Sequence, residues 1–154
     1  MRVVVSVIAP SRDDTCLVAA RDGTAEVRAE VGRQLTRWRL HRLIDDALLI
    51  ATELLSNAVR HGTPPLSVRM WLVTGERGRR RLRLEVEDAG PGIDMERVRA
   101  HWRHPSFTFL AGGRGLFIVD TLACRWGDTP SRLGHTVWAE LDATPPGPDR
   151  GRAS

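Results

Sequence analysis

The chain has 154 residues, 42% of them hydrophobic and 27% charged, which is the composition of one soluble globular domain with a real core, and no second domain is expected. All 23 basic residues are Arg, so no lysine is present to act on a phosphate or form a Schiff base, and a lysine-dependent P-loop is excluded. The net charge of +4 is spread along the chain among Asp and Glu, and the densest Arg cluster (Arg77, Arg79, Arg80, Arg81) has no stacking aromatic beside it, which argues against direct nucleic-acid binding.

Residues 3–9 are rich in Val and Ile but too short to span a membrane, and no cleavage site follows. They read as a strand within an N-terminal segment of residues 1–14. With no membrane or targeting segment in the sequence, a cytoplasmic location is expected. Residues 16–20 have the pattern of an edge strand. Cys16 and Cys124 are far apart without Cys-x-x-Cys spacing, as expected of reduced thiols.

Asp22 or Thr24 is positioned to cap a helix in which Val27, Val31, Leu35 and Trp38 recur at helical spacing, with Trp38 in the core. A second helix is expected over about residues 43–60, stopped by Gly62, Pro64 and Pro65. At 100° per residue, Ile44, Leu48, Ala51, Leu55, Ala58 and Val59 form its packing arc. Asp46, Glu53, Asn57, Arg60 and His61 fall opposite. Glu53 and Asn57 are i and i+4, so a carboxylate and an amide stand one turn apart, an arrangement suited to a metal-nucleotide.

From residue 66 to 74, Val68, Met70 and Leu72 alternate with polar positions, and Leu82, Leu84 and Val86 do the same in the next strand. The Arg-rich loop joins the two as a hairpin. Asp88 continues the Leu82, Leu84, Val86 series, so parity places it on the covered face, where a carboxylate must be paired, hydrogen-bonded or awaiting a ligand. Gly90 and Gly92 follow it and permit a ligand close to the backbone.

Residues 93–112 are less regular, with a short helix expected over 95–102 capped by Asp94. His101 and His104 lack further ligands, so zinc is not expected. The sequence Gly112-Gly113-Arg114-Gly115-Leu116 reads as a turn opening a helix, whose amide N–H groups and Arg114 suit an anion. Leu116, Val119, Leu122 and Ala123 form that helix's apolar face, and Gly127 is expected to end it after Trp126. Residues 136–141 form the last strand, and residues 143–154, rich in Pro, Gly and Arg, read as a disordered tail. Neither glycine pair has the third glycine of a dinucleotide fingerprint.

Taken together, Glu53-x-x-x-Asn57-Ala58-x-x-His61, Asp88-x-Gly90-x-Gly92 and Gly113-x-Gly115-Leu116 resemble, in order, the N, G1 and G2 boxes of the GHKL ATPase superfamily, across about residues 43–141. Within it the chain is similar to the anti-sigma-factor serine kinases, a match strengthened by Arg125-Trp126-Gly127 and by Thr136-Val137-Trp138-Ala139. The resemblance implies an α+β two-layer sandwich over residues 15–142, with helices on one face of a mostly antiparallel mixed sheet and ATP bound with Mg²⁺. It implies that Asp88 accepts from the adenine amino group, that Thr136 supports the same base, and that Gly90 and Gly92 bring backbone to the nucleotide. Gly113, Arg114, Gly115 and Leu116 would present donors to the phosphates, Asn57 would hold Mg²⁺, and Glu53 would be the general base. Residues 93–112 would be the lid, with Arg103, Ser106 and Thr108 as its polar contacts.

His61 reads as a satisfied helix-end histidine, with a phosphate-side donor as the alternative. His135 stands where many relatives carry a basic residue. The partners implied are a sigma factor and an anti-sigma-factor antagonist protein, met by the first helix through Arg28, Glu30, Arg33, Arg37 and Arg39, and relatives suggest a homodimer. A catalytically silent, ATP-gated binding module is the competing reading.

Overall fold

The computed structural model describes residues 15–17, 24–104 and 114–147. Its elements are β1 (Thr15–Leu17), α1 (Thr24–Arg37), a 3-10 turn at His41–Leu43, α2 (Ile44–His61), β2 (Ser67–Thr74), β3 (Arg80–Asp88), α3 (Met95–Arg103), α4 (Arg114–Leu122), β4 (Arg125–Pro130) and β5 (His135–Asp142). The strands form one sheet in the order β1-β2-β3-β5-β4, and every pairing is antiparallel. The expected mixed sheet is therefore, among the described residues, wholly antiparallel. It is an α+β sandwich.

Alternation decides which side of each strand meets the helices. Val68, Met70 and Leu72 on β2, Leu82, Leu84 and Val86 on β3, and Val137, Ala139 and Leu141 on β5 are all buried, as are Val27, Val31 and Leu35 on α1. The opposite face carries charge: Arg83 Nε lies 2.9 Å from Glu85 and its Nη1 lies 3.0 Å from Glu140, while the guanidinium stands 4.1 Å from the Trp138 ring centre. Arg77 and Arg79 are exposed on the β2–β3 hairpin, as a solvated loop requires.

Helix α2 packs with a face rotated from the expected one. Ala47, Ile50, Ala51, Leu54, Leu55 and Ala58 are its buried residues, whereas Ile44 and Leu48 are half-buried and Val59 is 45% exposed. The physical reason is that α2 is a central helix, touching α1 on one side, α4 on another and the sheet beneath, so more than one stripe is covered. Trp38 is only partly buried; it lies just past the end of α1, and Leu40 takes the core position instead. Arg28 donates to Thr52 Oγ1 at 2.7 Å and Arg33 pairs with Glu30 on the same helix, while both Arg side chains stay exposed.

The largest correction lies after α4. The helix stops at Leu122, and Arg125-Trp126-Gly127, expected to be its end, begins the edge strand β4 against β5. A strand containing Gly, Asp and a terminal Pro carries little strand signal, and an edge position is where such a sequence is tolerated. The packed domain also continues past residue 142: Ala143 is fully buried and its N–H donates to Arg80 O at 2.9 Å. The Thr144 N–H and hydroxyl hold the Asp142 carboxyl below its ordinary range. Expectations for residues 1–14, for 18–20, for the Asp22 cap and for the end of the tail fall outside the described residues. No described helix is long and apolar enough to cross a membrane.

Candidate functional site

A cavity of about 850 Å³ opens between α2, α3 and the first turn of α4. Its wall is α2, contributing Thr52, Glu53, Ser56, Asn57, Arg60 and His61, the polar stripe left when the apolar face is buried. α3 supplies Arg97, Val98, His101 and Trp102, and α4 supplies Arg114, Gly115 and Leu116. Asp94 caps α3, its Oδ1 accepting from Arg97 N at 3.0 Å, as the sequence predicted. Trp102 is held by an edge-on contact with Phe117, ring centres 5.5 Å apart, which ties α3 to α4.

Glu53 and Asn57 thus share a wall, one turn apart on a helix locked by Leu54, Leu55 and Ala58. Glu53 reaches across to α4, where its carboxylate sits beside the Cα of Gly115. Arg60, Arg97 and Arg114 line the cavity against a single carboxylate, Glu53, so the lining favours an anion. Gly92 lines the cavity as well, with φ of 96°, a conformation that favours glycine.

Asp88 is where parity placed it, 1% exposed on the helix side of β3, but it lies outside the cavity wall. Its donors are internal: Gly90 N at 2.6 Å and Thr63 N at 3.2 Å on Oδ1, and His135 Nε2 at 2.9 Å on Oδ2. Gly90 is buried with it. Thr136 is in register with Glu87 and so points to the opposite face from Asp88; the β5 residue across from Asp88 is His135. The expected support of a base by Thr136 is not what this strand offers, because a one-residue step along a strand changes its face.

Sequence reasoning missed Asp128. Its Oδ1 lies 2.7 Å from His135 Nδ1, and its Oδ2 accepts from Ile93 N. The only available signal was the strand itself: once Arg125–Pro130 pairs with β5, Asp128 alternates onto the same face as His135. Gly113, Ser106 and Thr108 lie outside the described residues, as does the lid beyond residue 104. Among the described residues no cluster of three or more His, Cys, Asp or Glu is arranged to hold a metal.

Residues 17–139 match the histidine kinase-like ATPase domain family, which is most of the chain. The chain belongs to that family. The resemblance to the GHKL superfamily is thereby shown at the level of the domain, and the domain type implies ATP as ligand. No curated protein matches the chain. Among solved structures, a histidine kinase domain from the Erythrobacter litoralis EL346 blue-light activated histidine kinase aligns at 20% identity with a TM-score of 0.43, covering 75% of this chain and 60% of that one. The chain thus spans less than two thirds of that domain.

Mg²⁺ keeps several waters and takes one or two protein oxygens beside the phosphates, so the amide oxygen of Asn57, on the cavity wall, would suffice to hold one.

Proposed function

We propose that this chain is an ATP-binding regulator of the anti-sigma-factor type, which binds a sigma factor and phosphorylates a serine or threonine of an antagonist protein with Mg·ATP. The observation that supports it most is the shared wall of Glu53 and Asn57, with Arg114 and Gly115 of α4 lining the same Arg-bearing cavity.

In this reading the triphosphate lies between the first turn of α4 and α2. Arg114 and neighbouring amides neutralise it, and Asn57 holds Mg²⁺, which supplies charge compensation on the phosphates. Glu53 accepts the proton of the acceptor hydroxyl as its oxygen bonds to the γ-phosphorus and the bond to ADP breaks. Phosphoryl transfer asks little more of the protein than positioning and charge neutralisation, so one carboxylate on a rigid helix is enough.

The test is transfer of labelled γ-phosphate from Mg·ATP into proteins of the source lysate, wild type against Glu53→Ala. A band present only with wild type supports the kinase and delivers its acceptor. Labelling of equal strength from both proteins removes Glu53 as base. The competing reading is a silent module in which ATP only gates partner capture. Partner binding that depends on ATP, with no phosphate moved, is its signature.

A further inference from the structure

Asp88 is the carboxylate that base recognition needs in the reading above, yet it is buried and its Oδ2 is engaged by an imidazole of the same chain. His135 is itself fixed from behind. Its Nδ1 meets Asp128 Oδ1 at 2.7 Å while its Nε2 meets Asp88 Oδ2 at 2.9 Å, and the side chains of all three residues are 9% exposed or less.

Asp88 and Asp128 each also accept from main-chain N–H groups, so the imidazole lies between two acceptors. An N–H donated to a carboxylate makes the stronger, charge-assisted kind of hydrogen bond.

Gly92 connects this trio to the cavity. It lines the wall, and a Cβ built on it would lie 3.0 Å from Asp128 Oδ2 and 3.9 Å from the His135 ring. The imidazole therefore stands directly behind the wall, on the acceptor that a nucleobase amino group would seek.

We propose that His135 sets the nucleotide affinity of this site by competing internally for Asp88. This rests on the reading of Asp88 as the base acceptor. The main-chain N–H groups of Thr63 and Gly90 take Oδ1, so a nucleobase amino group at Oδ2 competes with the His135 N–H for that oxygen, and the affinity for the base is reduced by the competition. Binding of the triphosphate at α2 and α4 is untouched by the competition, because neither Asp88 nor His135 lines that wall.

The experiment is titration calorimetry of wild type, His135→Ala and His135→Gln with Mg·ATP and, separately, with Mg·tripolyphosphate, which has no base. The expected result for His135→Ala is Mg·ATP binding tighter by about tenfold or more, from removal of one charge-assisted competitor, with tripolyphosphate affinity unchanged. His135→Gln, whose amide still donates to Asp88, stays near wild type. A purely structural role for His135 predicts the reverse for alanine, weaker binding of both ligands.

Unchanged or weaker Mg·ATP binding by folded His135→Ala overturns the proposal, and if tripolyphosphate still binds, the phosphate site of the functional reading survives. Failure of every protein to bind either ligand overturns both. Should His135→Ala fail to fold, nitrogen-15 spectra of wild type decide: the His135 ring signals shift on saturation with Mg·ATP as Nε2 leaves Asp88, and a ring that does not respond overturns the proposal.

Discussion

The Oε2 atom of Glu53 lies 2.6 Å from the point that a Cβ on Gly115 would occupy, so the proposed base on α2 rests against the bare backbone of α4. The two helices are in direct contact along this line, and glycine is what lets the carboxylate fit between them.

Gly115→Ala follows from that contact. The obstructing atom is the far end of a flexible side chain, so the carboxylate moves and the helices stay. Alanine in a helix is favoured over glycine by about 1 kcal/mol. Stability is therefore expected to hold or rise, while phosphoryl transfer falls by about 10²-fold as the carboxylate leaves its place. Thermal melts and labelled transfer on the same preparation check both halves. Transfer equal to wild type would show that the placement of Glu53 against Gly115 is irrelevant to the chemistry.

Gly62→Ala is expected to behave in the opposite way. Its Cβ would meet Ala58 O at 2.5 Å and Asp88 Cγ at 2.7 Å, one of them backbone and the other a buried carboxylate. Neither yields cheaply, and overpacking of this kind costs about 1–3 kcal/mol. Gly32, in α1 with nothing within 4 Å of its Cβ position, is the control. Gly32→Ala is expected to gain about 0.5–1 kcal/mol. Urea midpoints for the two variants should move in opposite directions.

Where hydrophobic period and residue parity agreed, the fold was legible. The alternation of Leu82, Leu84 and Val86 placed Asp88 on the buried face, and Asp94 announced the start of α3; both stand as read. The polar stripe of α2 was also correct in placing Glu53 and Asn57 on one wall. Failures came where neighbours, not local pattern, decide. Trp126 and Gly127 looked like a helix end because β4 gets its identity from pairing with β5, and Asp128 was invisible as a site residue for the same reason. Thr136 was misplaced by one residue, which in a strand is a full change of face, and the imidazole at His135 took the position across from Asp88.

Arg83 is expected to be the strongest single contributor on the outer face of the sheet. It bridges Glu85 and Glu140, which are only 8% and 6% exposed, and lies over Trp138. Replacing it by methionine keeps much of the stem but leaves two shielded carboxylates with only Arg69 and Arg81 nearby. Removing one partner of a buried pair costs about 3–5 kcal/mol; Arg83 is 21% exposed, so a loss of about 1–3 kcal/mol is expected. Arg83→Lys should recover only part of it, since an ammonium cannot fork between two carboxylates and stack on a ring at once. A denaturant series on the three proteins measures this, and equal midpoints would mean the network is energetically idle.

Glu53 and Asn57 are neighbours on α2, yet the proposed roles separate them by experiment. Both are half-buried on a helix whose Leu54, Leu55 and Ala58 are fixed in the core, so an isosteric change at Glu53 or a truncation at Asn57 should leave the wall in place. Glu53→Gln removes only the ability to accept a proton. Mg·ATP binding is then expected to stay within about twofold of wild type, while transfer falls by about 10²–10⁴-fold, the usual weight of a general base. Asn57→Ala removes a metal oxygen ligand and leaves the base. Its ATP affinity should become the same with magnesium as with a chelator, whereas wild type loses affinity when the ion is removed. Titrations with and without magnesium, set beside labelled transfer, give each variant its own signature. If Glu53→Gln weakens binding as much as transfer, the carboxylate is part of the ligand site and not the base; if Asn57→Ala keeps its magnesium dependence, the ion is held elsewhere on the wall.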